Sequence, residues 1–288
     1  MSAATSTGRP IPRLAGVCGW PIHHSLSPLL HTHWLRAGRV AGAYVPFLVR
    51  PDEARGAFAS LTRTSIAGVN VTLPLKRDAY LAAERRSADA DALGVANTLY
   101  VRGGVLHAHN TDLEGFRAPL LEARTAGQLR HVSAVVIGAG GAARAVLGAL
   151  VGLGVPEIRL LARRDEQARA LADELSLPSV HAVRWAERHE SLGGAGLIVN
   201  ASAGGMRGKR ELDLKMDAAE AGALAYDLIY TPQQTGFLRA AQGKGLDTVG
   251  GLAMLIAQAR PAYALFFGAP PPEDADPTRL LEAQLRGG

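Results

Sequence analysis

The chain of 288 residues is 48% hydrophobic and 20% charged, with a net charge of +5 at pH 7. This composition is typical of a soluble globular protein with one large or two ordinary domains. The positive charge is spread along the chain without basic runs, so nucleic acid is not an expected partner. The longest apolar run, residues 146–155, is too short to span a membrane.

Cysteine usage and the N-terminal segment favour a cytoplasmic location. Cys18 is the only cysteine, so an intrachain disulfide is impossible and a reducing compartment is favoured. Residues 1–13 are small and polar, lack the apolar run of a signal peptide, and are expected to form a loose tail.

The N-terminal half is predicted to alternate between strands and helices. Apolar runs predict strands over residues 14–19, 43–49 and 66–73, and a hairpin over residues 95–101 and 105–109. Pro46 predicts an edge or a bulge for the second strand. Pro28 is expected to open a helix with Ser27 as its N-cap. Further helices are predicted over residues 51–61, 76–91 and 113–123.

The C-terminal half shows a more regular alternation. Strands are predicted over residues 133–137, 157–162, 180–185, 197–200, 224–228 and 246–249. Helices are predicted over residues 141–153, 165–175, 252–267 and 277–285. Strands that alternate with helices imply right-handed parallel crossovers, and therefore a doubly wound domain.

A glycine-rich turn lies where the first of these C-terminal strands meets its helix. Gly138, Gly140 and Ala143 take the small positions of G-x-G-x-x-G/A. Such a turn lets a pyrophosphate approach the backbone at the positive end of a helix. The alternative is an ordinary glycine turn of an α/β protein, but the preceding strand and following helix favour dinucleotide binding.

The next strand suggests which dinucleotide binds. It ends in Ala162-Arg163-Arg164, where an acidic residue would contact the ribose of NAD and an arginine the 2′-phosphate of NADP. Two guanidinium groups favour NADP. Asp165 remains open as a displaced ribose ligand, although we prefer it as the N-cap of the following helix.

Polar residues cluster at strand ends in the N-terminal half. Ser25 and Ser27 lie in a proline-bounded loop, and Asn70 and Thr72 alternate with apolar residues so that they share one face. Lys76 follows shortly after them. Similar polar groups recur at 97–98 and 110–112. Together these groups suit a polyhydroxylated ligand that carries a carboxylate.

These polar blocks and the glycine turn resemble those of the shikimate dehydrogenase family. The resemblance rests on blocks that occur in the family's order, at residues 19–28, 70–76, 94–98, 110–116, 138–143, 200–206, 227–230 and 254–259. They span most of the chain, from residue 14 to residue 268. The chain departs from the family's usual pattern at Ala162, where an asparagine is common.

The resemblance implies a two-domain α/β fold. Residues 1–112 with 252–288 would form an α/β substrate-binding domain, and residues 113–251 a Rossmann-like doubly wound NADP-binding domain. The implied reaction is the reversible, NADPH-dependent reduction of 3-dehydroshikimate to shikimate, on the route to aromatic amino acids. The expected cofactor is NADP, and the expected state is a monomer or homodimer without a membrane or nucleic-acid partner.

The resemblance also implies roles for individual residues. Lys76 and Asp112 would form the catalytic pair. Substrate would be bound by Ser25, Ser27, Asn70, Thr72, Asn97, Tyr230 and Gln258. NADP would be bound by Gly138, Ala139, Gly140, Gly141, Ala142, Ala162, Arg163, Arg164, Leu228, Gly251 and Met254.

Several of these residues also have simpler interpretations. On spacing alone, Lys76 is compatible with a solvated lysine at a helix start, and Asp112 with a helix N-cap. The histidines at positions 23, 24, 31 and 33 lack a metal-ligand spacing, so no metal is expected. Two other functions stay open: an NAD-using quinate/shikimate dehydrogenase, disfavoured by the arginine pair, and a dinucleotide sensor without turnover, disfavoured by Lys76 and Asp112.

Overall fold

The structure is a computed structural model that describes residues 11–287. It divides into two compact units, one comprising Met1–Thr111 with Gln258–Gly288 and the other Asp112–Ala257. The expected loose tail lies largely outside the described residues, and Arg13 already belongs to the first strand. None of the helices within residues 11–287 has the length and apolar character needed to cross a membrane.

The first unit is built on a mixed sheet. Its elements are β1 (Arg13–Gly19), α1 (Ser27–Ala37), β2 (Gly42–Leu48), α2 (Ala54–Ala59), β3 (Ile66–Val71), α3 (Lys76–Ala82), β4 (Arg85–Arg86), α4 (Ala88–Leu93), β5 (Thr98–Arg102) and β6 (Val105–His109). The strand order is β2-β1-β3-β5-β6-β4. Strand β1 is parallel to its neighbours, whereas β5 is antiparallel to both β3 and β6. The predicted hairpin and the edge position of the Pro46 strand are confirmed.

One helix prediction in this unit is wrong. Residues 76–91 do not form one helix, because Arg85 and Arg86 extend the chain and pair with His107 and Ala108 of β6. Ser87 then starts a new helix by accepting a hydrogen bond from the Ala90 amide at 3.2 Å. The helical prediction for residues 51–61 is confirmed, with short 3-10 helices on both sides of α2 that extend the helical segment from residue 51 to 63.

Ser27 is not the N-cap of α1. Leu26 takes the N-cap position with helical backbone angles, and Ser27 is the first helical residue. The hydroxyl of Ser25 instead accepts a hydrogen bond from the Ser27 amide at 3.3 Å. The Ser27 side chain therefore does not cap α1 and is available for other contacts.

The second unit is built on a parallel sheet. Its elements are α5 (Asp112–Ala123), α6 (Ala126–Leu129), β7 (Ser133–Ile137), α7 (Gly141–Gly152), β8 (Ile158–Leu161), α8 (Asp165–Leu175), β9 (Val180–Ala182), β10 (Ala195–Asn200), β11 (Leu224–Asp227), α9 (Gly236–Gly243), β12 (Asp247–Val249) and the start of α10 (Gly251–Phe267). The strand order is β12-β11-β10-β7-β8-β9, with all neighbours parallel. Helix α10 continues into the first unit, where α11 (Thr278–Gly287) follows.

Alternating residues of the central strand in this unit face two different cores. Val136 packs in one cluster with Leu150 of α7, whereas Val135 packs in another with Phe237 of α9. Helices therefore cover both faces of the sheet, which is the arrangement of a doubly wound fold. The predicted Rossmann-like fold class is confirmed.

Local details of this unit correct two further predictions. Asp165 is the first helical residue of α8 and Arg164 its N-cap, and the Asp165 carboxylate accepts a hydrogen bond from the Trp185 amide at 2.7 Å. Helix α9 was not predicted, because glycines at both ends weaken its helical pattern. Thr235 caps it by accepting from the Leu238 amide at 3.2 Å.

Candidate active site

The glycine turn of the second unit follows β7 and precedes α7. Gly138 has φ +124°, and a Cβ there would lie 2.7 Å from the carbonyl carbon of Ala201, so that only glycine fits. Its amide donates to the Leu161 oxygen at 2.7 Å, which ties the turn to the end of β8. A Cβ on Gly140 would meet nothing within 4 Å. Open space thus lies before the α7 N-terminus, as a pyrophosphate requires.

The other residues predicted to bind the cofactor lie along the same edge of the sheet. Ala162 is buried just after β8, and Arg163 and Arg164 beside it are exposed. Leu228 follows β11 and Gly251 follows β12, where a Cβ on Gly251 would lie 2.2 Å from the Leu228 oxygen. The remaining predicted members, Ala139, Gly141, Ala142 and Met254, lie in the glycine turn or in the first turns of α7 and α10.

This edge collects the carboxyl ends of parallel strands, which is where α/β sheets bind ligands. The glycine turn fits a pyrophosphate, and the two exposed guanidinium groups fit a 2′-phosphate. The donor set of the second unit therefore suits NADP.

A buried carboxylate braces this edge. Asp227 is fully buried, and it accepts hydrogen bonds from the Thr235 hydroxyl at 2.6 Å and from the Asn200 amide and the Ile229 backbone amide at 3.0 Å each. Burial raises the pKa of Asp227 to about 6, and these hydrogen bonds oppose the rise. The carboxylate thus joins the end of β10 to the segment that carries Leu228.

In the first unit, three of the predicted substrate residues belong to one hydrogen-bonded network. Asn70 at the end of β3 pairs in register with Thr98 at the start of β5, and its amide donates to the Thr98 hydroxyl at 3.0 Å. The Asn97 amide donates to the Thr111 hydroxyl at 2.9 Å and to Gln258 at 3.4 Å. The structure therefore brings Asn70, Asn97 and Gln258 together at one edge of the mixed sheet.

The other predicted substrate residues of this unit lie in two loops. Ser27 is buried and Ser25 half-buried, and the hydrogen bond from the Ser27 amide to the Ser25 hydroxyl joins them. Thr72 is half-buried just after β3, and its amide donates to the Cys18 oxygen at 2.9 Å. Thr72 therefore lies where the carboxyl ends of β1 and β3 adjoin.

The proposed catalytic residues are divided between the two units. Lys76 is half-buried at the start of α3, and its carbonyl oxygen accepts from the Ala96 amide at 3.0 Å, beside Asn97. Asp112 is buried as the first residue of α5 in the second unit. Tyr230 is half-buried in the second unit, shortly after β11.

Sequence reasoning assigned no role to two residues that hold these edges in place. Tyr44 lies in an apolar strand, and its hydroxyl was the one feature that could have indicated a polar role. That hydroxyl donates to the side-chain oxygen of Asn70 at 2.7 Å. Asp227 ends an apolar strand. Its partner Asn200 is remote in the sequence, and its partner Thr235 lies in the loop that follows the strand. Both contacts depend on pairing that no local pattern encodes.

A parallel doubly wound sheet with a glycine turn and exposed arginines, in a chain that also carries a buried polar network, is typical of nicotinamide-dependent dehydrogenases. The family model for the shikimate dehydrogenase substrate binding domain matches residues 17–99. A shikimate dehydrogenase (NADP(+)) of Paramagnetospirillum magneticum is 43% identical over 260 residues, covering 90% of this chain and 94% of the relative.

Solved structures of related dehydrogenases match the chain over nearly its full length. A shikimate 5-dehydrogenase from Thermus thermophilus in complex with NADP(H) and shikimate superposes with a TM-score of 0.81 at 34% identity, covering 96% of this chain and 100% of that one. A quinate dehydrogenase from Corynebacterium glutamicum in complex with NAD has a TM-score of 0.84 at 27% identity, covering 96% and 99%. This chain belongs to the shikimate dehydrogenase family.

Proposed function

We infer that this protein is an NADP-dependent shikimate dehydrogenase. It catalyses the reversible reduction of 3-dehydroshikimate to shikimate, a step of aromatic amino acid biosynthesis. The observation that carries this conclusion is 43% identity to a shikimate dehydrogenase (NADP(+)) over 90% of the chain. The glycine turn and the two arginines of the second unit support the choice of cofactor.

The substrate is bound by the uncharged polar groups of the first unit together with Tyr230. In this proposal Ser25 and Ser27 bind the substrate carboxylate. The carboxylate and ring hydroxyls are contacted by Asn70, Thr72, Asn97, Tyr230 and Gln258. The hydrogen bonds among Asn70, Asn97 and Gln258 support this set, because they hold the amide groups in defined orientations before a ligand arrives.

The proton of the reaction is handled by Lys76 and Asp112. When bound, NADPH supplies the hydride that goes to the ketone carbon of the substrate. Lys76 donates a proton to the oxygen on which charge develops, and Asp112 orients the substrate hydroxyl. In the reverse direction Lys76 accepts that proton.

The two units divide the binding work. The first unit provides most of the residues that bind the substrate, and the second unit binds NADP through the residues along the carboxyl edge of its parallel sheet. The protein acts in the cytoplasm as a monomer or homodimer. Apart from a second copy in a homodimer, it binds small molecules and neither nucleic acid nor a membrane in this proposal.

Initial rates of nicotinamide reduction test the proposal on the purified protein, with shikimate or quinate combined with NADP or NAD. We expect a high kcat/KM for shikimate with NADP alone. Efficient turnover of quinate with NAD would instead favour a quinate dehydrogenase like the similar NAD-bound structure. Binding of NADP without turnover of either substrate would favour a dinucleotide sensor.

A further inference from the structure

Tyr44 connects two of the residues proposed to bind substrate. Its side chain is 3% exposed, and its hydroxyl lies 2.7 Å from Oδ1, the side-chain oxygen of Asn70. The Ser27 side chain is hydrogen-bonded to the same tyrosine hydroxyl. A carboxamide oxygen can only accept, so Tyr44 donates to Asn70 and the Ser27 hydroxyl donates to Tyr44.

The same donor-to-acceptor direction continues through the hydrogen bonds between Asn70, Thr98 and Asn97. While its side-chain oxygen accepts from Tyr44, the side-chain amide of Asn70 donates to the Thr98 hydroxyl at 3.0 Å and to the Asn97 backbone oxygen at 3.3 Å. That hydroxyl in turn donates to the Asn97 oxygen at 3.1 Å. The Thr111 backbone amide also donates to that side-chain oxygen at 2.8 Å, and the side-chain amide of Asn97 points towards the Thr111 hydroxyl and Gln258. One directional chain of hydrogen bonds therefore runs from Ser27 through Tyr44 and Asn70 to Asn97.

The tyrosine ring is held in place by His31. The two rings stack at 3.9 Å between centroids with 3° between their planes. His31 is fully buried, and neither of its nitrogens has a hydrogen-bond partner among the described residues. Burial lowers the pKa of His31 to about 3, so the imidazole is neutral near pH 7 and packs as an uncharged aromatic ring against Tyr44. On the same imidazole, the ring of Tyr263 also stacks at 5.9 Å.

We propose that Tyr44 is a positioning residue that couples recognition of the substrate carboxylate, through Ser27, to recognition of the ring hydroxyls, through Asn70 and Asn97. The proposal rests on the proposed function, since it assumes that these residues bind shikimate. Without the Tyr44 hydroxyl, the side-chain oxygen of Asn70 loses its donor, and the carboxamide is held from its amide side alone, by the Asn97 backbone oxygen and the Thr98 hydroxyl. Ser27 at the same time loses the acceptor that orients it. Tyr44 itself contacts neither cofactor nor reacting atoms in this proposal.

The first test compares Tyr44→Phe with Tyr263→Phe. Both changes delete a buried tyrosine hydroxyl beside His31, but the hydroxyl of Tyr263 has no hydrogen-bond partner among the described residues. We expect Tyr44→Phe to raise the KM for shikimate by about fivefold to tenfold, as for loss of a hydrogen bond that orients other groups. The kcat and the KM for NADP should change by less than about twofold, and Tyr263→Phe should leave all three unchanged.

The outcomes separate this proposal from the proposed function. If the wild-type protein does not oxidise shikimate with NADP, the proposed function fails. If the wild type is active and the two phenylalanine variants have the same KM for shikimate, the role of Tyr44 is overturned. The role is also overturned if Tyr44→Phe lowers both kcat and thermal stability but leaves the KM for shikimate unchanged, because that pattern indicates a purely structural role.

A double-mutant cycle tests the coupling itself. If Ser27 and Tyr44 act through their shared hydrogen bond, Ser27→Ala should raise KM less in the Tyr44→Phe background than in the wild type. The same change should act additively with Tyr263→Phe. Additive effects of Ser27→Ala and Tyr44→Phe would contradict the coupling.

His31 offers a second route should Tyr44→Phe fail to fold. His31→Phe keeps an aromatic ring against Tyr44 and should retain the KM for shikimate, whereas His31→Leu removes the stacked ring and should raise it by several-fold. Equal KM values in the two variants would overturn the positioning role.

Discussion

The two units present polar edges that are built from different parts of the chain. In the first unit the edge consists of uncharged side chains, and Asn70, Thr98 and Asn97 satisfy one another's hydrogen bonds while buried. In the second unit the edge is largely backbone, with the glycine turn open in front of α7. A side-chain edge selects a ligand by the pattern of its hydroxyls, whereas a backbone edge at a helix N-terminus selects for negative charge.

This difference explains why the two edges tolerate change differently. The amides of the first unit need partners, because a buried polar group that loses one costs about 1–3 kcal/mol. The backbone groups of the second unit need instead the absence of side-chain atoms, as at Gly138 and Gly251. Charged side chains depart from this division in both units.

Lys76, at the start of α3, is the cation that we propose to act beside the uncharged polar network of the first unit. We expect Lys76→Ala to lower kcat by about 100-fold or more with little change in the KM for shikimate, because a transition-state proton donor contributes mainly to the chemical step. Initial rates of shikimate oxidation with NADP measure this. Lys244→Ala, which removes an exposed lysine bonded to the Asp217 oxygen, is the control and should retain wild-type rates. A variant in which KM alone changes would contradict the role of Lys76.

Asp227 places a buried carboxylate behind the backbone edge of the second unit. Burial raises its pKa from 3.8 to about 6, so the folded protein holds this proton more tightly than the unfolded chain does. The wild type should therefore lose up to about 3 kcal/mol of stability from this group as the pH rises from about 4 to about 6.

The amide of Asp227→Asn does not titrate, so this variant should lack that part of the pH dependence. Urea denaturation of both proteins across the same pH range isolates the difference, since all other groups are shared. The stability of the variant relative to the wild type should improve as the pH rises. Parallel curves for the two proteins would show that Asp227 keeps the same pKa in the folded and unfolded states.

The sequence predicted features that depend on local patterns. The doubly wound sheet follows from alternating apolar runs, and the Gly138 turn follows from its glycines because their steric requirement is local. The failures have tertiary causes. The alanine-rich segment 76–91 is interrupted because Arg85 and Arg86 pair with β6, and pairing overrides helix propensity.

The same distinction applies to the candidate site. Residue types and order pointed to Asn70, Asn97 and Gln258, and the structure joins them in one network. The roles of Tyr44 and Asp227 escaped prediction, because Tyr44 meets Asn70 across the sheet and Asp227 meets Asn200 from a neighbouring strand. Which side chain orients another is determined by strand order, and one sequence does not display strand order.

The glycine turn offers a direct comparison of two neighbouring glycines. Gly138→Ala should lower the free energy of unfolding by about 2 kcal/mol or more, because φ is +124° and the new Cβ would collide with the Ala201 backbone. Gly140→Ala should retain stability, since its φ is −94° and its Cβ would meet no protein atom within 4 Å. Gly140→Ala should nevertheless weaken NADPH binding, because its methyl group enters the space assigned to the pyrophosphate.

Urea denaturation and NADPH fluorescence titration, applied to both variants, separate strain from ligand exclusion. Unchanged NADPH affinity in Gly140→Ala would mean that the pyrophosphate lies elsewhere. Wild-type stability in Gly138→Ala would mean that the turn relaxes without the contact with Ala201.

The arginine pair after β8 adds charge where the rest of the edge is backbone. Replacement of Arg163 and Arg164 by alanine should raise the KM for NADPH by about tenfold, because the 2′-phosphate loses its charge-assisted hydrogen bonds. The KM for NADH should hardly change, since NADH lacks that phosphate. Arg169→Ala removes an exposed arginine further along α8 and should alter neither value. An equal rise for NADPH and NADH would assign the pair to general attraction of anions and leave discrimination between the two dinucleotides to other residues of this edge.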